Sequence, residues 1–483
     1  MNNIYATLTK QWPKAPWLQK VWGVLAITPA VIAGLVFSMT AMPNLAFAAN
    51  DAVVQRFLVQ TEHNGWIYPT VMSRTSDGNF LVAGGSSDGQ FGAWVSKVNA
   101  QWQTLWTTKI TIPVKFDLLT RPEFLGIAAM PDGSAFLCGT MPRPKELEER
   151  LSTASLIHLD ARGHAISKQL IISPNNKEKD LNLTSKFVNC TPWGDGFVVM
   201  GDVHQAVGTV IPQNGKREIK QYYWIIKYDA TGKTQWEKFI PYKLGIMHAF
   251  PFQNSVLDKL NKPDKSIIMS SVPMQKDIIN KLNDLGIVPA FAPQNTILIE
   301  AGNNLLFSAT DTSMTDVVEL SSTGDVVART DFPGYFRLVH PFAGSHDIQL
   351  LSGSDLTLVT LDQNLHEKSR VQGDNSKNFF SATTAFEMPD STIVVPGMTI
   401  PDYRPVIMHA AQDMQAIQYT DLKETEAKDL EQITTILPID NNYNNFMIAK
   451  STFKNIMDFL NGKFPADVVD VSYEMSIEIV NLK

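Results

Sequence analysis

Cysteine is scarce in this chain: two residues in 483, Cys138 and Cys190. That excludes a disulfide-dense scaffold and any metal site built from four cysteines. Basic residues are also in deficit. Forty-one Lys and Arg face 48 Asp and Glu, a formal net charge of −7, so the basic face of a nucleic-acid binder is not expected. The nine histidines are scattered. His158 and His164 are six apart, as are His340 and His346, whereas a helical zinc pair needs a spacing of four. The chain has no Gly-x-Ser-x-Gly elbow, no phosphate-binding Gly-rich loop ending in Lys-Ser/Thr and no EF-hand loop. No metal, cofactor or catalytic residue is therefore assigned. Asp117, Glu123, Asp202 and Asp331 are carboxylates of the kind that paired acid–base catalysis uses, but such a pair must converge in one cleft. The acidic run Asp421–Glu431 also carries Lys423 and Lys428 and reads as a solvated helix face.

Apolar residues, by contrast, are plentiful. They make up 44% of the chain, enough for real cores in one large domain or two to three ordinary ones. The N-terminus reads as an export signal. Lys10, Lys14 and Lys20 precede an almost wholly apolar run, Val21 to Met39, and Ala46-Phe47-Ala48 supplies a small-x-small cleavage site. Residues 1–48 are expected to be removed, leaving a net charge of 38 − 48 = −10 on residues 49–483. The competing reading is an uncleaved anchor, since nineteen apolar residues can just span a bilayer. No cysteine lies near the cut, which excludes lipoprotein processing. A periplasmic or secreted bacterial protein is expected, touching a membrane only through this segment if it is not cleaved. The opening Met1-Asn2-Asn3-Ile4-Tyr5, with Trp12, resembles the extended signal region of bacterial type V secreted proteins. No C-terminal transmembrane barrel is expected, because residues 440–483 lack a series of ten-residue alternating segments.

The remainder of the chain carries a repeat. Segments starting at Ile67, Leu125 and Phe187 each contain an apolar strand, an Asp-Gly turn (Asp77-Gly78, Asp132-Gly133, Asp195-Gly196) and a second apolar strand ending at Gly84, Gly139 or Gly201. A third strand follows, containing Trp94 in one copy and Trp224 in another. It ends in a polar turn such as Asp160-Ala-Arg-Gly163 or Asp229-Ala-Thr-Gly232. A fourth strand carries Trp106 or Trp236 in two of the three copies. Asp-Gly between apolar runs is a strong hairpin signal, because glycine accepts positive φ without strain. Weaker copies bring the expected starts to residues near 66, 125, 187, 248, 296, 336, 380 and 431.

Four strands per unit at this period predict an all-β fold: a β-propeller of seven or eight four-stranded blades with short helical insertions. Ala52–Val59 and Val468–Val480 are expected to lie in one closing sheet, since an open blade would expose unpaired backbone. Trp94, Trp106, Trp224 and Trp236 are the expected blade-packing residues. Insertions are expected at 142–152, 202–221 and 253–293, with a helical turn at Lys145–Arg150 and an amphipathic helix at Gln275–Leu285. Lys423–Gln432 and Lys454–Asn461 are further helix candidates.

Tyr228-Asp-Ala-Thr-Gly-Lys-Thr-Gln-Trp236 resembles the closing phrase of blades in secreted bacterial β-propellers, and also the tryptophan-docking phrase of quinoprotein-type propellers. The resemblance covers residues 60–240 best and implies blade packing, not chemistry. A quinoprotein dehydrogenase would carry adjacent cysteines beside its cofactor, and this chain has none. Ser86–Trp94 departs from the sialidase Asp-box in spacing and position. Cys138 and Cys190, both exported, are expected to form a disulfide. It would close a 53-residue loop and contribute roughly 4 kcal/mol in the chain-entropy model. The reading that follows is a non-catalytic module that binds another envelope or secreted protein. The alternative is a propeller enzyme acting on glycans, or a related polymer, at the central channel.

Overall fold

The computed structural model describes residues 53–59, 67–86, 93–101, 103–110, 123–141, 153–171, 182–207, 218–242, 296–310, 314–342, 347–353, 355–380, 384–399, 404–422, 430–440, 443–453 and 473–482. These residues are all-β. The first strand, β1 (Val53–Val59), precedes a four-stranded antiparallel sheet of β2 (Ile67–Arg74), β3 (Phe80–Ser86), β4 (Ala93–Val98) and β5 (Thr104–Ile110). The second sheet holds β6 (Glu123–Ala129), β7 (Ala135–Met141), β8 (Thr153–Leu159) and β9 (Ala165–Ile171). The third holds β10 (Asn182–Trp193), β11 (Gly196–Val207), β12 (Glu218–Asp229) and β13 (Thr234–Pro241). The fourth holds β14 (Thr296–Ala301), β15 (Asn304–Thr310), β16 (Met314–Leu320) and β17 (Val326–Pro333).

A nine-stranded sheet follows. One half contains β18 (Phe336–His340), β19 (Ile348–Ser352), β20 (Thr357–Leu361) and β21 (Glu367–Gln372). The other contains β22 (Phe379–Phe380), β23 (Ala385–Glu387), β24 (Ile393–Thr399), β25 (Arg404–Ala410) and β26 (Ile417–Asp421). Only a parallel pairing of β18 with β23, Val339 with Ala385 and His340 with Phe386, joins the two halves. The last sheet is β27 (Leu430–Pro438), β28 (Asn445–Phe453) and β29 (Tyr473–Asn481), with β1 pairing antiparallel along the outer side of β29 from Val53↔Val480 to Val59↔Met475. The chain ends thus share one sheet, and β29 is not left as an open edge.

The two middle strands of a run are largely buried because both of their faces are covered. β15 and β16 are buried at nearly every position, whereas the outer strand β9 alternates between exposed and half-buried residues. Apolar clusters join each four-stranded run to the next. The closing sheet meets the first through Met447, Ala449 and Ile477 against Val82 and Trp94. Further clusters join first to second, second to third, third to fourth, fourth to the β18–β21 half, that half to the β23–β26 half, and that one back to the closing sheet. The result is a propeller-like arrangement.

Its seams solve one packing problem in three ways. Five turns from a third to a fourth strand have a residue with positive φ: Gly163 (+84°), Gly232 (+84°), Gly324 (+79°), Leu365 (+63°) and Met414 (+54°). In two seams a tryptophan of the preceding sheet docks on that turn. The Trp106 indole N–H donates to the Ala161 carbonyl at 3.3 Å, and that of Trp236 to the Ser322 carbonyl at 3.0 Å. A Cβ on Gly163 would lie 2.5 Å from the Trp106 ring, and one on Gly324 2.8 Å from the Trp236 ring, so these turns require glycine. The positions equivalent to Trp236 in the later runs are Ala328 and Ser369, read from the register Lys227↔Trp236, Glu319↔Ala328 and Thr360↔Ser369. There the next turn carries Leu365 or Met414, each almost fully buried in its seam. In the seam between second and third sheets Ser167 occupies the tryptophan position, and Phe136 packs beside Gly232 instead. Burying Leu or Met gains roughly 2 kcal/mol, which outweighs about 1 kcal/mol of left-handed backbone strain.

Several expectations are corrected. Residues 202–221 are not a loop. β11 runs to Val207 and β12 starts at Glu218, a long hairpin with only 208–217 between. The helix expected at Lys423–Gln432 does not extend to its end, because β27 begins at Leu430. Among the described residues there is no helix. The helices expected at 145–150, 275–285 and 454–461, and the unit expected near 248, lie outside the described residues. Sequence alternation misplaced 202–221 because its polar residues mask strand pairing that continues past the apolar core, with β11 bonded to β10 as far as Gln205 and to β12 as far as Val207.

The seam analysis predicts that Trp236→Ala lowers stability by about 2 kcal/mol. Gly324→Leu alone should be destabilising, whereas adding it to Trp236→Ala should recover part of the loss, as the Ala328–Leu365 seam does naturally. Urea midpoints of the four proteins measure the coupling; strictly additive losses would count against size complementarity.

Candidate functional site

The strand order makes the two ends of the ring unlike. At one end lie the turns between first and second and between third and fourth strands, all short: 75–79, 130–134, 160–164 and 321–325 are examples. At the other end lie the second-to-third turns and the crossovers between sheets. The strand ends that flank every intervening segment of ten or more residues are there: those on either side of 111–122, 142–152, 172–181, 208–217, 242–295 and 454–472. Loops of this kind on a rigid frame are the usual place for binding function. This crossover end is the candidate site.

Buried polar groups root the connections at that end. In the seam between third and fourth sheets, Asp316 sits at the start of β16, fully buried. Arg329 of β17 forks onto it, with Nε 3.0 Å from Oδ1 and Nη2 on Oδ2, and also donates to the Pro241 carbonyl at 2.9 Å. The Tyr223 hydroxyl donates to Asp316 Oδ2 at 3.0 Å, and the Tyr242 hydroxyl to Asp202 Oδ1 at 2.7 Å. The two phenol rings are 4.0 Å apart. Burial, and then the neighbouring carboxylates, pushes both phenols well above their ordinary pKa, so they serve as donors and not as bases. Tyr242 is the last described residue before 243–295, so this cluster fixes where the longest connection departs.

A second cluster roots 423–429. Lys450, Glu431 and Glu478 are all buried. The Lys450 ammonium is 2.9 Å from Glu478 Oε1 and 3.2 Å from Glu431 Oε2, and it donates to the Leu422 carbonyl at 3.1 Å. Ser476 donates to Glu478 Oε1 at 3.0 Å. The backbone register aligns Arg56 of β1 with Glu478. Removing one partner of a buried ion cluster leaves uncompensated charge. Lys450→Met should therefore cost about 3–5 kcal/mol, and Glu431→Gln, which removes charge from an acid-rich cluster, much less. Chemical denaturation of both variants checks the order; a Lys450→Met protein as stable as the parent would contradict it.

The sequence-derived residues fall in seams. Trp94 is buried against the closing sheet, and its N–H donates to the Gly85 carbonyl at 3.2 Å. Trp224 is buried beside Phe187, with ring centroids 5.1 Å apart, and donates to Glu237 at 2.5 Å. Trp106 and Trp236 dock as described. Cys138 and Cys190 are free, buried thiols. They lie in one apolar cluster across the seam between second and third sheets, where the Cys190 thiol donates to the Phe136 carbonyl at 3.7 Å. Of the four carboxylates, Asp117 and the Glu123 side chain lie outside the described residues, Asp202 is buried on Tyr242, and Asp331 is exposed opposite Asp316. His158 stacks on Phe136 at 4.1 Å, and His164 is exposed beside Asp160. Among the described residues, no group of three or more His, Cys, Asp or Glu is placed to hold a metal ion.

Asp316, Arg329, Tyr223 and Lys450 were not singled out from the sequence. A signal existed, since Asp316 and Lys450 adjoin otherwise apolar runs, Val317-Val318 and Met447-Ile448-Ala449, where a charge must find a partner.

His340 stacks on Phe386 at 5.2 Å at the junction of the nine-stranded sheet, and burial lowers its pKa to about 4. The folded value is below the ordinary 6.5, so the fold favours the neutral ring. That contribution is complete above pH 6.5 and is lost as pH falls towards 4. His340→Gln should accordingly show a smaller drop in Tm between neutral and acid pH than the parent; equal drops would remove His340 from the pH response.

No protein-family model matches the chain, and no curated protein matches it. Solved structures do. One is a protein of unknown function from Bacteroides caccae, at 11% identity and TM-score 0.37, covering 74% of this chain and 97% of that one. A quinoprotein alcohol dehydrogenase-like protein from Bacteroides thetaiotaomicron has 10% identity and TM-score 0.37, over 76% and 68% of the two chains. The β-propeller domain of the trilobed protease from Pyrococcus furiosus has 8% identity and TM-score 0.38, over 80% and 92%.

Proposed function

We propose that this chain is an exported, non-catalytic seven-bladed β-propeller that binds another envelope or secreted bacterial protein through its crossover end. The observation that carries this reading is that the strand ends flanking every long connection lie at one end of the ring, with buried polar clusters holding the roots of 242–295 and 423–429. A rigid frame with fixed loop roots lowers the ordering cost of binding a partner. The count of seven takes the nine-stranded sheet as two blades, since only a short parallel pairing joins its halves. Residues 243–295 are then an insertion between the third and fourth blades. Export rests on the basic leader, the apolar run and Ala46-Phe47-Ala48. The half-buried positions of the first strands include Val71, Leu125, Val188, Thr191, Thr434 and Thr435, apolar or hydroxyl side chains suited to packing and hydrogen bonding.

The test is crosslinking of purified residues 49–483 against envelope extract of the native host. One protein should be captured in stoichiometric amount, lost when 253–293 is replaced by a short linker, and retained when the opposite-end turn 130–134 is altered. Capture insensitive to both changes, or none, would overturn the reading and turn attention to polysaccharide binding and turnover.

A further inference from the structure

We propose that Cys138 and Cys190 become a disulfide that covalently joins the second and third sheets as the exported chain folds. Cys138 lies in β7 and Cys190 in β10, in different sheets, and both side chains belong to one apolar cluster with Phe136, Phe187 and Trp224. The Cys190 thiol reaches across the seam to the Phe136 carbonyl of β7, 3.7 Å away and two residues before Cys138, so only a local approach of the sulfurs separates the two states. Gly126 of β6 makes this approach geometrically available. A Cβ there would lie 2.8 Å from Cys138 Sγ and would collide with the Cys190 backbone nitrogen. The strand beside the pair has no side chain at the point where the two sheets touch. These are also the only two cysteines of the chain, so no other internal pairing competes.

The chemistry is thiol–disulfide exchange with an oxidant of disulfide class, such as oxidised glutathione or a dithiol oxidase in its disulfide form. One cysteine thiolate attacks the oxidant, forming a mixed disulfide and releasing one oxidant thiol. The second cysteine thiolate attacks the first cysteine sulfur, forming the 138–190 bond and releasing the other oxidant thiol. The two cysteine protons end on the two released thiols, and the oxidant gains two electrons. Burial pushes the Cys138 thiol well above its ordinary pKa. The closed seam therefore holds little thiolate, and exchange belongs to the folding chain before the sheets dock. The finished bond would be shielded from reductant by the same burial. The inference rests on the export reading only for where the oxidant is met.

The decisive experiment refolds denatured, reduced residues 49–483 in a glutathione redox buffer, then quenches, denatures and alkylates with N-ethylmaleimide. The expected protein is two hydrogens lighter than the reduced chain, takes up no alkylating agent and yields a Cys138–Cys190 crosslinked peptide. It should resist dithiothreitol while folded and melt roughly 4 °C above the reduced wild type. A Cys138→Ala/Cys190→Ala double variant should melt at one temperature with or without oxidant. Two alkylatable thiols, or a stable glutathione adduct in place of the bridge, would overturn the proposal. Because refolding is done in vitro, this outcome is independent of whether the chain is exported; mass analysis of protein recovered from the periplasm addresses that separately.

Discussion

The structure depends on face-to-face packing between twisted sheets, each of which has two apolar faces and no other way to bury them. A lone four-stranded sheet of this composition would leave both sides of its middle strands in water. At about 25 cal/mol per Å² of apolar surface, that exposure is prohibitive. The seams therefore determine the rest: which turns must accept positive φ, where tryptophan can stand, and why β1 must travel to the far end of the chain to pair with β29. The exchange of Trp236 over Gly324 for Ala328 under Leu365 shows that a seam is specified by total volume and not by residue identity. This also explains why tryptophan disappears after residue 236 while the strand pattern continues.

Buried charges meet opposite charges at both ends of the sheets, with Lys97 beside Asp77 and Lys227 beside Asp195 at the short turns. Asp316 with Arg329 and Tyr223, and Lys450 with Glu431 and Glu478, lie towards the crossover end. A buried ion group adds little net stability but penalises every arrangement that separates its members. Here the arrangement it protects is the register between neighbouring sheets, and hence the spacing of the loop roots. A binding surface assembled from several sheets needs such registration, because a slip of one strand position would move each root by about 3 Å.

His340 and the two cysteines sit in other seams. His340 lies at the pairing that fuses the halves of the nine-stranded sheet, and Cys138 and Cys190 lie between the second and third sheets. Each is a small chemical group placed where two large apolar faces meet.

Much of this was legible in the linear chain. Asp-Gly turns between apolar runs marked the strands of the first three sheets, and the expected first strands near 296, 336 and 431 coincide with β14, β18 and β27. Those signals are local: turn chemistry and side-chain alternation act over a few residues, so they survive in one dimension. The chain by itself also determined its acidic balance, its scarcity of cysteine and histidine, and the export-like leader. Tertiary structure alone decided the extension of 202–221 into a hairpin, the fusion of two runs through Val339 and Ala385, the convergence of Tyr223, Asp316 and Arg329, and the meeting of Cys138 with Cys190. Each of these joins residues from different sheets or depends on how far a sheet extends. Such contacts are set by how seams pack, which is a property of surfaces that exist only after the strands have paired.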